Sequence, residues 1–270
     1  MSLRGHNIWV IGAGFLGSAV AEACRKERAR VLTIDPAAVA TLRGSAGDAE
    51  LLQHAMERLM PDVVFCCTAT QGGTEEDYRK AYLEPATQLT CWLQGTRIVF
   101  CSSTSVYAGR EGELITEESP ARAVSDRARM LLQAEETVLK SGGVVVRLAP
   151  LYGPGRCELV RRFVSGLPCL PGHDERLMNY LHVDDAVDAL LLLCAEPWLS
   201  DGLFNVSGEC FSKAEIYAEL EKIFGLEADV ESSAPSARGC SDMRVDCSRI
   251  RELGWEPICT MAEFARDWNT

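Results

Sequence analysis

The feature that most constrains this chain is the run WVIGAGFLGSAV, Trp9 to Val20, an apolar segment that breaks into glycines and then resumes with small residues. Gly12, Gly14 and Gly17 match G-x-G-x-x-G where a strand should end and a helix begin. In that setting the first glycine permits a tight turn, the second lets the backbone approach a pyrophosphate, and the third lets helix and strand pack closely. The helix start then offers free N–H groups and a partial positive charge to the phosphates. A second run, RVLTID, ends in Asp35, near the distance downstream at which an acid meets the adenosine ribose. A carboxylate there accepts bonds from the 2′- and 3′-hydroxyls and repels a 2′-phosphate, which favours NAD over NADP. Pro36, Ala37 and Ala38 follow Asp35, and the next arginine along the chain is Arg43.

Short β-branched runs then alternate with helix-length segments. NIWVIG precedes a helix from about Leu16, RVLTID a helix over Ala49–Arg58, DVVFCC a helix over Tyr78–Leu93, and RIVFCSS a helix over Arg127–Lys140 that leads to VVVRLA. Repeated strand, helix, strand units require a parallel sheet covered on both faces, because each crossover has to pack back onto the sheet. The expected class is α/β, a doubly wound parallel sheet of the Rossmann kind. After Pro150 the pattern turns irregular, with turns at YGPGR and LPCLPGHD, a helix over Asp184–Cys194, a strand LFNVS and a helix over Lys213–Phe224. The expected organisation is a nucleotide-binding domain of residues 1–153 plus about 179–207, and a small interleaved C-terminal substrate lobe of about 154–178 plus 208–270. Glu231–Asp242, rich in Ser, Ala and Gly, is the expected flexible segment.

Of the 270 residues, 47% are hydrophobic and 24% charged, which suits a full-sized buried core. The formal net charge is -12 and no Lys/Arg cluster stands clear of acids, so a phosphate backbone is repelled and nucleic acid is not an expected partner. Apolar runs such as DALLLLCA fall well short of the roughly 20 residues that span a bilayer, so neither a membrane span nor a signal peptide is expected. The 12 cysteines are scattered, without a CxxC pair and often inside strand-like runs, which reads as reduced thiols in a cytoplasmic protein rather than a disulfide framework. His6, His54, His173 and His182 show no ligand spacing with cysteines or carboxylates, so no metal site is expected.

Five further segments resemble a known family in its own order along nearly the whole chain: CSSTSVYAG, VVVRLAPLYGPGR, NYLHVDDAVDALLL, FNVSG and DCSRIRELGWEP. With the glycine turn they make the chain similar to the extended short-chain dehydrogenases/reductases, the NAD-dependent epimerase/dehydratase group that mostly acts on nucleotide sugars. The resemblance implies cofactor contacts at Gly12, Gly14, Phe15, Leu16, Gly17 and Asp35. It places Asp48 near the adenine, Thr68, Ala69 and Thr70 after the fourth strand, Ser102 and Ser103 at the end of the fifth, and Pro150 and Leu151 beside the nicotinamide. Ser103, four residues before Tyr107, matches the family residue that hydrogen-bonds the substrate hydroxyl or carbonyl. Arg156, Arg161, Arg162 and Arg176 lie in the part that meets substrate in this family, which suits a phosphate or carboxylate, and their other reading is a solvated basic surface. In HVDD, Asp184 or Asp185 is expected to cap the following helix. The resemblance also implies a homodimer, with MLLQAEETVL as the contact helix.

One part of the family pattern is missing. Tyr-x-x-x-Lys normally sits on the helix after the fifth strand, where the lysine lowers the tyrosine pKa and the phenol acts as general acid or base. Here that helix reads SDRARMLLQAEETVL, with Arg127 at the tyrosine position and Leu131 at the lysine position, and none of the six tyrosines has a lysine four residues on. Arginine stays protonated and donates no proton, although Arg127 can polarise a carbonyl or bind a phosphate. Two function classes follow. One is an NAD-dependent oxidoreductase or epimerase acting on a small-molecule substrate, its proton handled by Tyr107, Tyr152, His173 or Asp174 while Ser103 positions the substrate. The other is a catalytically silent NAD-binding sensor or regulatory protein.

Overall fold

In the computed structural model, which describes residues 3–268 except 38, 71–72, 108–110, 124, 171–172, 196–201 and 229–241, strand and helix alternate as the periodicity predicts. Strand β1 (Asn7–Ile11) leads through the glycine turn to α1 (Phe15–Lys26) and β2 (Arg30–Asp35), followed by β3 (Leu42–Arg43), α2 (Ala49–Arg58) and β4 (Val63–Cys66). The helix expected over Tyr78–Leu93 is divided into α3 (Glu75–Tyr78), a π-helical turn (Arg79–Leu83) and α4 (Glu84–Trp92). Next come β5 (Arg97–Ser103), a 3-10 turn (Thr104–Tyr107), β6 (Glu111–Ile115), α5 (Asp126–Lys140), β7 (Val144–Leu148) and β8 (Leu151–Tyr152). The remainder is α6 (Glu158–Val164), β9 (Leu177–Asn179), β10 (Leu181–His182), α7 (Val183–Ala195), β11 (Gly202–Val206), β12 (Cys210–Ser212), α8 (Lys213–Phe224), β13 (Asp242–Val245), α9 (Ser248–Arg251) and α10 (Met261–Arg266).

Seven strands form a parallel sheet in the order β11-β7-β5-β4-β1-β2-β3. The central strands are buried on both faces, as VVFC in β4 and VVVRL in β7 show, because α1 and α7 pack together on the sheet while α4 and α5 also pack as a pair. Strand order reverses between β1 and β4, which opens a crevice beyond their carboxyl ends. Two features were not legible in the sequence: the two-residue edge strand β3, and the parallel pairing of β6 with β13. Among the described residues no helix is long and apolar enough to cross a membrane. Of the segment expected to be flexible, residues 231–241 lie outside the described residues.

A second apolar cluster, separate from the sheet core, gathers Tyr152, Leu159, Phe163, Ile216, Leu220 and Met261. The joint between the two depends on HVDD, and not in the way the sequence suggested. Asp185 does not cap α7. Its carboxylate accepts from the backbone N–H of Ile258 at 3.0 Å and of Cys259 at 3.1 Å, and its carbonyl accepts from the Trp255 indole at 3.1 Å. The acid is buried, so these bonds compensate its desolvation and fasten the C-terminal segment to α7. A second buried polar unit lies under the sheet's crevice: Glu135 of α5 takes three bonds from Arg147 of β7, with Nη2 to Oε2 at 2.5 Å, and Ser102 also donates to it.

Candidate functional site

The glycine turn has the shape its sequence demands. Gly12 has φ +86°, and a Cβ there would lie 2.8 Å from the Cys67 carbonyl oxygen. A Cβ on Gly17 would lie 1.7 Å from the Gly12 carbonyl oxygen, so α1 rests on the turn at a distance only hydrogen permits. Gly14, by contrast, has nothing within 4 Å of its Cβ position. It is the N-cap of α1 and carries no side chain to cap it, and no acid lies in the first turn. An uncapped helix start beside open space fits a pyrophosphate.

Asp35 ends β2 at the same turn. One carboxylate oxygen accepts from Ala13 N and the other from Ala37 N, each at 2.7 Å. Each oxygen keeps a second lone pair for a ribose hydroxyl. Arg43 stands opposite Asp35 in the β2–β3 register, but its Nε donates to the Pro36 carbonyl at 2.9 Å and it does not line the crevice. Asp48 is the N-cap of α2, its Oδ1 accepting from Glu50 N and Leu51 N.

These groups open into a cleft of about 1180 Å³. Its walls include Gly12, Gly14, Phe15, Leu16, Asp35 and Asp48, then Thr68, Ala69, Thr70, Ser102, Ser103, Pro150 and Leu151. Gly17 stays outside, since its part is to pack helix on strand. Ser103 is half-buried and its Oγ accepts from Ser105 N at 3.1 Å, which leaves its O–H to donate. Ser102 lines the cleft too, yet its hydroxyl is given inward to Glu135. Arg156 lies over the Phe15 ring at 5.2 Å, and it and Arg176 line the cleft.

Several expected site residues stand elsewhere. Tyr107 is fully buried, donates to Asn205 Oδ1 at 3.0 Å and accepts from Arg147 Nη1 at 2.7 Å, so it supports the core and does not reach the cleft. Tyr152 belongs to the second apolar cluster, its ring against His182 and Phe264 and its hydroxyl directed at the Cys259 carbonyl at 3.4 Å. Burial raises both phenols above their ordinary pKa. Arg127 is exposed and lies over the Tyr78 ring at 5.8 Å, outside the cleft lining, and Leu131 is buried. His173 faces Asp242 and Glu175, Asp174 lies 3.8 Å from Lys213, Arg161 pairs with Glu158, and Arg162 donates to the Pro168 carbonyl.

The sequence reading missed Tyr82, Lys80 and Tyr180, which do line the cleft. Periodicity gave one continuous helix over this stretch, whereas the π turn inserts an extra residue and changes which side chains face the sheet. Also unforeseen is a group of His182, Asp184 and Cys259 with ligand atoms within 4.8 Å of one another. His182 Nδ1 accepts from Asp184 N there, and burial with the charges of Asp185 and Asp184 pushes the Cys259 thiol up to about 12.

The model of the NAD dependent epimerase/dehydratase family matches residues 8–207. The chain belongs to that family. Protein YeeZ of Escherichia coli (strain K12) is 32% identical over 166 residues, which cover 59% of this chain and 57% of that relative, so the chain matches little more than half of that relative's length. UDP-glucose 4-epimerase of Azospirillum brasilense is 24% identical over 297 residues, covering 91% of this chain and 85% of the relative. Among solved structures, a UDP-glucose-4-epimerase from Stenotrophomonas maltophila with bound NAD and formylated UDP-arabinopyranose superposes with a TM-score of 0.83, at 17% identity, over 97% of this chain and 96% of that one. At that identity the superposition establishes the family fold, with its doubly wound sheet and crevice.

Proposed function

We propose that the cleft binds NAD and that the protein is an NAD-dependent oxidoreductase or epimerase/dehydratase acting on a sugar-nucleotide-like substrate or a small carbonyl or hydroxyl compound. The observation that carries this reading is one cleft of about 1180 Å³ joining the glycine turn and Asp35 with Ser103, Arg156 and Arg176. The glycine turn and the start of α1 hold the pyrophosphate, Asp35 takes the adenosine ribose hydroxyls, Asp48 stands by the adenine, and Pro150 and Leu151 flank the nicotinamide. NAD bound there supplies hydride acceptance and return. Ser103 donates its O–H to the reacting oxygen of the substrate, and the two arginines offer charge to a phosphate or carboxylate. The nucleotide sugars named for the relatives support this substrate class. The division into a nucleotide-binding domain and a substrate lobe, and a homodimer, belong to the same proposal.

Two tests follow. In fluorescence titration NADH should bind more tightly than NADPH, and Asp35→Ala should weaken NADH binding by about 10- to 100-fold, the worth of hydrogen bonds to a charged acceptor. Tighter binding of NADPH would show that Asp35 does not select the coenzyme. In a screen of nucleotide sugars and small ketones, followed through reduced-cofactor absorbance, Ser103→Ala should lower kcat by roughly 100-fold, the usual cost of losing one donor to a developing oxyanion. One observation favours the second reading, a catalytically silent NAD-binding sensor: Arg127 and the buried Leu131 hold the places of the usual Tyr and Lys. Firm NADH binding with no turnover of any compound in the screen decides for it.

A further inference from the structure

We propose that Tyr82, carried by the π-helical turn, is the proton-carrying residue of the cleft, in place of the tyrosine absent from α5. The inference rests on the NAD-dependent reading above for the reaction it serves. Of the six tyrosines only Tyr82 and Tyr180 line the cleft, and only Tyr82 stands at the carboxyl ends of the central strands. Its hydroxyl accepts a hydrogen bond from Thr70 N at 3.3 Å, just beyond β4. Its ring meets Phe100 edge-on, with centroids 6.4 Å apart, and Phe100 lies three residues before Ser103 on β5. The phenol is therefore fixed from two sides, with its O–H proton free to be donated. Beside it Thr70 lines the cleft as well, so the phenol and the threonine present adjoining hydroxyls to a ligand there.

The surroundings account for the change of helix. Arg127, at the family's tyrosine position, lies over Tyr78, and the Tyr78 ring is 5.4 Å from the Tyr82 ring. The start of α5 thus meets the cleft through two aromatic rings from the neighbouring segment. The extra residue of the π turn is what brings Tyr82 to this place, and such turns recur at functional sites. Burial raises the Tyr82 phenol above its ordinary value, so it is protonated at neutral pH, and a cationic ring bound beside it would ease the loss of that proton. In carbonyl reduction the substrate carbon gains a hydride from the reduced nicotinamide and its oxygen gains the Tyr82 proton, leaving an alcohol and a phenolate. Alcohol oxidation runs the same two transfers backwards.

The test reads the phenol directly. Protein carrying fluorotyrosine, whose phenols titrate at lower pH than tyrosine, is followed by fluorine NMR across pH in complexes with NAD+ and with NADH, and Tyr82→Phe identifies the resonance. A phenol facing the nicotinamide ionises about one pH unit lower beside the cationic ring than beside the neutral one. We expect that difference at the Tyr82 resonance alone. Equal titration in the two complexes, or a shift at Tyr180 instead, overturns the assignment while leaving the cofactor reading intact. Absence of any heat when either coenzyme is mixed with the protein removes both.

Discussion

Glu135→Ala should lower the unfolding free energy by about 3–5 kcal/mol, because it leaves the Arg147 guanidinium buried without its counter-charge. The side chains are 3% and 6% exposed, so water cannot take the place of the lost partner. Three of the four bonds to the Glu135 carboxylate come from Arg147 and the fourth from Ser102, and all four lose their acceptor together. The same arginine donates to Tyr107, so the damage extends into the core next to Asn205. For a chain of this size the midpoint of thermal unfolding should fall by roughly 6–15 °C. Calorimetry checks it, and the double variant Glu135→Leu/Arg147→Met should recover part of the loss, since removing both charges ends the desolvation cost. If Glu135→Ala melts with wild type, the pair is not a buried structural unit. The variant also bears on the cleft, because the Ser102 that lines it is held by Glu135.

Most of the sheet could be read from the sequence because its strands are buried on both faces and therefore appear as short β-branched runs, VVFC wholly apolar and VVVRL broken only by Arg147. The helices Ala49–Arg58 and Lys213–Phe224 were legible for a different reason, since each begins on a side-chain cap, Asp48 and Ser212. Gly12 and Gly17 were legible because close contacts admit no side chain there, and Asp35 because it ends the strand run RVLTID. Tyr107 and Tyr152 misled because residue type says nothing of direction: one phenol serves Arg147 and Asn205, the other a carbonyl 107 residues away. Asp185 misled because an acid before an apolar helix is the common sign of a cap, and its partners lie 73 and 74 residues on. Tyr82 was passed over because one inserted residue in a helix leaves no mark in a period count.

Stability should fall steeply above pH 9, by about 4 kcal/mol between pH 9 and 10 from four of the buried thiols alone, because they resist ionisation in the folded protein. Burial pushes Cys24, Cys66 and Cys247 up to about 12 and Cys194 up to about 11, from an ordinary value of 9.0. Below pH 9 both states hold these protons and the thiols contribute nothing to the pH dependence. Above it the unfolded chain releases protons that the folded chain retains, so each thiol draws the equilibrium toward unfolding by up to about 1.4 kcal/mol per pH unit until its folded pKa is reached. The window thus runs from about pH 9 to 12, and the raised phenols of Tyr107 and Tyr152 add to the loss from about pH 10 upward. Denaturant titration at pH 8, 9 and 10 under reducing conditions measures it. Replacing Cys247 by alanine should cost some stability at pH 8 and flatten the alkaline slope by up to about 1.4 kcal/mol per pH unit, its own contribution. A slope that does not change in that variant would mean that the thiols titrate alike in both states, and that the apolar packing around Cys247 is open enough to admit the charge.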